Sequence, residues 1–144
     1  MNWYYNNGQT NRSRLKASLN LAEHFHFQEK FMTVIIIGSG GREHAIAWKL
    51  KKDDDSVNII AIPGNGGMSD IAECVSLDVQ DIAKVADFSV ERKVDYVIVG
   101  PEVPLSLGIS EILGKKGMKV FGPCMKGAML ESSKIFAKQF MKKY

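Results

Sequence analysis

The chain has 144 residues, 45% hydrophobic and 24% charged, which is ordinary for a globular domain able to bury a core. That make-up excludes whole-chain disorder, collagen-like repeats and coiled coil. A net charge of +3 is too slight to argue for a nucleic-acid partner. No apolar run approaches the roughly 18 residues of a membrane span.

Residues 1–31 are rich in Asn, Gln, Ser and Tyr, carry no acid before Glu23 and show no strong period. They read as an irregular N-terminal extension outside the fold, with Met32 as the fold's natural beginning. A transit peptide is the rarer explanation, and the absence of an apolar h-region argues against a secretory signal. His24 and His26 are a lone pair, and no metal is assigned to them.

From residue 32 the pattern is regular. Thr33–Ile37 is a β-branched run ending in glycine, the mark of a buried strand. Arg42–Lys52 follows as a helix with Ala45, Trp48 and the Ile46/Leu50 pair at helical spacing. Asp53-Asp54-Asp55 forms a solvated turn. Val57–Ile62 is the second strand, stopped by Pro63-Gly64-Asn65-Gly66-Gly67, and a small strand is expected within Cys74–Leu77. Asp78 caps a helix over Val79–Arg92, whose apolar stripe is Ile82, Val85, Ala86 and Val90. Val94–Val99 is the third long strand, Leu105–Lys116 a helix, Lys119–Phe121 a short strand and Ala128–Lys142 a last helix. Cys74 and Cys124 form no CxxC pair and read as two free, buried thiols in a reducing cytosol.

Strands alternating with helices predict βαβ units and an α/β fold: a doubly wound, Rossmann-like parallel sheet with helices on both faces. Ligands of such sheets bind beyond the carboxyl ends of the strands. Gly38–Gly41, Pro63–Gly67, Gly100–Glu102 and Gly122-Pro123 should meet on that rim.

Gly38-Ser39-Gly40-Gly41-Arg42-Glu43-His44 joins strand to helix. Its glycines allow close approach to the backbone, the helix start offers unpaired N–H groups, and Arg42 adds a permanent charge. This favours phosphate over a ligand-free tight turn. It does not favour a dinucleotide: the third glycine of G-x-G-x-x-G is replaced by Glu43, and the second strand ends in Ile62-Pro63 without a ribose-binding acid. Glu43 in the first helical turn complements the dipole without any chemistry, and His44 orients a loop; neither is called catalytic. Glu102, at a strand's carboxyl end, suits a ligand hydroxyl or amine. Lys134, Lys138 and Lys142 line one face of the last helix, ordinarily a solvated face.

These residues resemble a known family. Val34–Ala45 with Trp48-Lys49-Leu50, Pro63–Gly67, Val99-Gly100-Pro101-Glu102-Val103-Pro104-Leu105 and Phe121-Gly122-Pro123 are similar, in order and spacing, to the amino-terminal part of the glycinamide ribonucleotide synthetases (phosphoribosylamine–glycine ligases). So are Ala128, Leu130-Glu131, Ser133-Lys134 and Phe136–Met141. The resemblance spans residues 32–144. It implies a pre-ATP-grasp α/β domain over 32–125 and, over 126–144, a helix leading into an ATP-grasp domain that is absent here.

In this family ATP phosphorylates the glycine carboxylate, and the amine of 5-phosphoribosylamine attacks the acyl phosphate, a step of purine biosynthesis. By resemblance Gly38, Ser39, Gly40, Gly41, Arg42, Glu43, His44, Pro63, Gly64, Asn65, Gly100, Pro101 and Glu102 line the phosphoribosylamine pocket. Lys134 matches a lysine that reaches the nucleotide phosphates. The carboxylates for Mg or Mn would lie outside these residues, so the 144 residues alone are expected to be inactive. The intact protein is expected to be a cytoplasmic monomer acting on phosphoribosylamine, glycine and ATP, without nucleic-acid or membrane partners. The competing readings are an NAD(P)-dependent oxidoreductase domain, a non-catalytic phosphometabolite-binding module and a different ATP-grasp ligase.

Overall fold

The centre of the fold is β1 (Thr33–Gly38), whose run of Val34 and three isoleucines is essentially shut off from solvent. The structure is a computed structural model, described over residues 31–143; of the expected extension only Phe31 falls among them, and His24 and His26 lie outside the described residues. β1 pairs in parallel with β2 (Asn58–Pro63) on one side and β4 (Tyr96–Val99) on the other. The short β3 (Glu73–Cys74) and β5 (Lys119–Phe121) complete a five-stranded, all-parallel sheet in the order β3-β2-β1-β4-β5. The chain adds strands outward from β1 on one side, then returns to add β4 and β5 on the other. That reversal leaves a crevice between the carboxyl ends of β1 and β4, where open α/β sheets take their ligands.

The pleat of β1 divides the core in two. Ile35 and Ile37 join Ile60, Ile62, Val97 and Val99 beneath α2 (Ile82–Glu91) and α4 (Ile109–Lys115). Val34 and Ile36 face the other way, to Ile59, Ala61, Met68 and Ala47 of α1 (Gly41–Asp53). A strand buried on both faces must be apolar at every position, which is why β1 does not alternate.

Several expected details are corrected by the tertiary context. On α1 the core-facing positions are Glu43 and Ala47, with Ile46 and Leu50 half-buried; Ala45 and Trp48 point outward. Lys52 sits 4.8 Å over the Trp48 ring. The helix expected from Val79 begins at Ile82, because Asp81 rather than Asp78 caps it by accepting the Lys84 amide at 3.2 Å. Asp78 instead accepts the Gln80 amide at 2.9 Å in a turn ahead of the helix. Ser89, not Val90, completes the buried stripe, its hydroxyl donating to the Val85 carbonyl at 2.7 Å.

The helix expected over Leu105–Lys116 is two, α3 (Glu102–Ser106) and α4, separated at Gly108, where φ is +89°. The last helix is also two, α5 (Met125–Ser132) and α6 (Lys134–Lys143). Ser133 is extended there, and its hydroxyl accepts the Phe136 amide at 3.3 Å, so serine starts a new helix instead of continuing the old one. Along α6, Ile135, Phe140 and Met141 are exposed, while Met129 of α5 and Phe136 are half-buried. Both cysteines are free but exposed, correcting the expectation of burial: Cys74 lies on the edge strand and Cys124 just ahead of α5.

Three carboxyl groups are held below the usual carboxylate range. Asp54 accepts the Ser56 hydroxyl and amide, Glu73 is paired with Arg92, and Asp81 accepts from the Lys84 side chain and amide. Each is more acidic folded than unfolded, so acid favours the unfolded chain. Stability is therefore expected to hold steady above about pH 4–5 and to fall as pH drops through the carboxylate range. Asp81→Asn keeps a capping acceptor without the titration and should flatten part of that fall. Urea unfolding between about pH 3 and pH 7 checks this, and an identical acid limb in the variant contradicts it.

Candidate functional site

Strand register brings Gly38 beside Pro63 and Ile37 beside Val99, so the loops after β1, β2 and β4 open at one end of the sheet. Main-chain bonds lace them there: the Gly64 amide donates to the Gly38 carbonyl at 3.2 Å, and the Gly100 amide to Ile37 at 3.0 Å. Asn65 adds a side-chain bridge. Its Nδ2 donates to the Ser39 carbonyl at 2.9 Å, while its Oδ1 accepts the Gly67 and Met68 amides at 2.9 and 3.1 Å. The His44 ring lies against Gly67, where a Cβ would come within 2.7 Å of Cε1. Gly122-Pro123 follows β5 at the same end. It is tied to α4 through the Ser110 hydroxyl, which donates to the Pro123 carbonyl at 3.0 Å, and joins none of these bonds.

At the start of α1, Glu43 turns its carboxylate inward and is only 5% exposed. Its Oε2 accepts the Gly40 amide at 2.8 Å and its Oε1 accepts Arg42 Nε at 3.0 Å. Arg42 reaches across the crevice and donates from Nη2 to the Gly100 carbonyl. The hydrogen bond and charge of Glu43 raise the Arg42 pKa above the already high arginine range, and Glu131 and Glu102 add to this from further off. The guanidinium is thus fixed at two points, with its remaining N–H groups directed to an exposed rim. Beside it, the amides of Gly41 and Arg42 have no acceptor among the described residues. A rigid cation next to unpaired helix-start amides is suited to an anion.

Two glycines are required by this packing. Gly38 has φ +135°, and a Cβ there would lie 2.6 Å from Glu43 Cγ. At Gly100 a Cβ would fall 2.0 Å from Glu43 Oε1. Pro101 precedes α3, and Glu102 opens it with an exposed side chain. Lys134 opens α6, also exposed, and takes no part in the bonds that join the rim. Sequence reasoning missed the inward turn of Glu43 and the proximity of Glu131 to Arg42. The first had a signal, since Glu at the third helical position is the reach-back half of a capping box.

Among the described residues, no group of three or more His, Cys, Asp or Glu side chains is arranged to hold a metal ion. None of the described helices is long and apolar enough to cross a membrane. A cavity of about 650 Å³ opens at the opposite, amino end of the strands, lined by Thr33, Asn58, Lys51, Asp70 and Arg92 among others. It touches none of the glycine loops, and the topology places the candidate site at the carboxyl ends instead.

Fold and rim together define the class: a Rossmann-like α/β domain whose candidate site lies where the strand order reverses. Residues 32–131 match the family described as "Phosphoribosylglycinamide synthetase, N domain", and the chain belongs to that family. It is 49% identical over 113 residues to a phosphoribosylamine–glycine ligase of Caldanaerobacter subterraneus subsp. tengcongensis, covering 78% of this chain and 27% of the relative. The Halalkalibacterium halodurans enzyme of the same name is 47% identical over 113 residues, covering 78% and 26%. Among solved structures, the phosphoribosylamine–glycine ligase of Thermotoga maritima aligns with a TM-score of 0.55 at 31% identity, over 78% of this chain and 25% of that one. The biotin carboxylase domain of a Hydrogenobacter thermophilus 2-oxoglutarate carboxylase shares the fold, with a TM-score of 0.57 at 17% identity over 78% and 27%. The chain thus spans about a quarter of the length of these relatives.

Proposed function

We propose that this chain is the substrate-side, amino-terminal domain of an ATP-dependent carbon–nitrogen ligase that joins glycine to 5-phosphoribosylamine in purine biosynthesis. The observation that carries this reading is the Arg42 guanidinium, pinned between Glu43 and the Gly100 carbonyl beside the unpaired amides that start α1. That arrangement supports a phosphate monoester at the rim.

In this reading Gly38, Ser39, Gly40 and Gly41 bring the backbone close to the phosphate, and Arg42 neutralises it. Pro63, Gly64, Asn65 and His44 shape the wall on the β2 side. Gly100 and Pro101 form the β4 side, with Glu102 facing a ribose hydroxyl or the amine. Lys134 would contact nucleotide phosphates. ATP with Mg or Mn supplies, when bound, the phosphoryl group that activates the glycine carboxylate. In this reading this chain's part is to hold and orient the amine substrate. A cytoplasmic monomer acting on small molecules is consistent with this role.

Calorimetric titration of the 144-residue chain with ribose 5-phosphate tests the reading. Binding is expected, and Arg42→Ala should weaken it roughly ten- to a hundred-fold, as expected for a lost charged hydrogen bond. Equal affinity in the variant, or binding of NAD in place of ribose 5-phosphate, would sink it.

A further inference from the structure

We infer that Glu43 is a positioning residue: it holds Arg42 across the crevice for the phosphate without touching the ligand itself. The inference rests on the phosphate-binding reading above and adds a role for a side chain that such a reading would otherwise count among the ligand contacts.

A glutamate in the first turn of a helix normally faces water and needs no partner beyond the dipole. This one is 5% exposed, and a carboxylate so deeply seated is tolerated only when its oxygens are bonded. Both are: Oε2 to the Gly40 amide at 2.8 Å and Oε1 to Arg42 Nε at 3.0 Å. Its seat is cut from backbone of two separate strand ends. Cβ atoms at Gly38, Gly40 and Gly100 would lie 2.6, 2.8 and 2.0 Å from the nearest atom of the Glu43 side chain. Arg42 then closes the ring onto the Gly100 carbonyl. The carboxylate thus joins the β1 loop to the start of α1, and Arg42 carries the link on to the β4 loop. With both oxygens bonded inward and the residue only 5% exposed, Glu43 presents almost no surface to a ligand at the rim. It takes away the rotamer freedom that a largely exposed arginine would otherwise lose on binding.

Charge and position make opposite predictions, which gives a clean test. Glutamine at 43 removes a negative charge near the phosphate, so Coulomb attraction alone would tighten binding. Glutamine keeps only one acceptor oxygen and would turn its NH2 toward an N–H donor, so in this geometry it cannot replace both bonds, to Gly40 and to Arg42. Positioning therefore predicts weaker binding. Ribose 5-phosphate would be titrated against wild type, Glu43→Gln, Arg42→Ala and the double variant.

Glu43→Gln is expected to weaken binding on the order of ten-fold. In the Arg42→Ala background the same change should cost nothing further, because its effect passes through Arg42. Equal or tighter binding by Glu43→Gln overturns the inference, as does an undiminished loss in the double variant. A second measurement needs no variant to fold: solvent exchange of the Arg42 Nε–H in wild type, followed by NMR, should be slowed. Exchange as fast as in free arginine overturns the clasp. Failure of wild type to bind ribose 5-phosphate removes the functional reading and this role together. Binding that ignores Glu43→Gln removes this role alone.

Discussion

Gly38→Ala is expected to lower the unfolding free energy by about 2–6 kcal/mol. Two causes add. At φ +135° an L-residue is strained, at a cost of about 1–3 kcal/mol. The new methyl also lands 2.6 Å from Glu43 Cγ, so the carboxylate must leave its seat. That breaks its hydrogen bonds from the Gly40 amide and Arg42 Nε, at about 1–3 kcal/mol more. Gly41→Ala is the matched control. It opens α1, and a Cβ there meets nothing within 4 Å. Alanine at 41 should change stability by about 1 kcal/mol or less, in the stabilising direction. Urea unfolding of the pair decides the matter; similar stability in both would show that the rim does not depend on the Glu43 seat.

Ile36→Ala should cost about 2–5 kcal/mol, a large share of the 5–15 kcal/mol that holds a typical domain together. Ile36 is fully buried in the smaller of the two core clusters, under α1. Its companions there include Ala47 and Ala61, which are too short to collapse into the space it leaves. The penalty should therefore sit in the upper part of that range. The loss also reaches the rim, because α1 carries both Arg42 and Glu43. Ile135→Ala on α6, at a site 73% exposed, should stay within about 0.5 kcal/mol. Comparable midpoint shifts for the two would contradict the burial argument.

The strands were the most legible part of the chain. Val34–Ile37 and Ile59–Ile62 are apolar, mostly β-branched runs closed by glycine or proline, and they form the two central strands of one side. Helix ends were less legible, because two carboxylates precede α2 and it is Asp81 that accepts a first-turn amide, while Asp78 closes a turn ahead of it. Trp48 shows the same limit from another side. Helical spacing permits it on an apolar stripe, but the stripe that meets the sheet runs through Glu43 and Ala47.

At the candidate site the split is sharper. The glycine loops, the basic residue beside them and their place after successive strands follow from residue order, because backbone chemistry and strand alternation act locally. The inward turn of Glu43 follows only in part: its place at the third helical position allows a reach back to the Gly40 amide, but a solvated first-turn glutamate has the same sequence pattern. What decides it is Gly100, 58 positions from Arg42 in the chain, which arrives bare of side chain and lends its carbonyl to the guanidinium. Local propensity and hydrophobic pattern act along the chain, and both donors to Glu43 lie within three residues of it; the burial of its carboxylate comes from Gly100, which only the tertiary fold brings alongside.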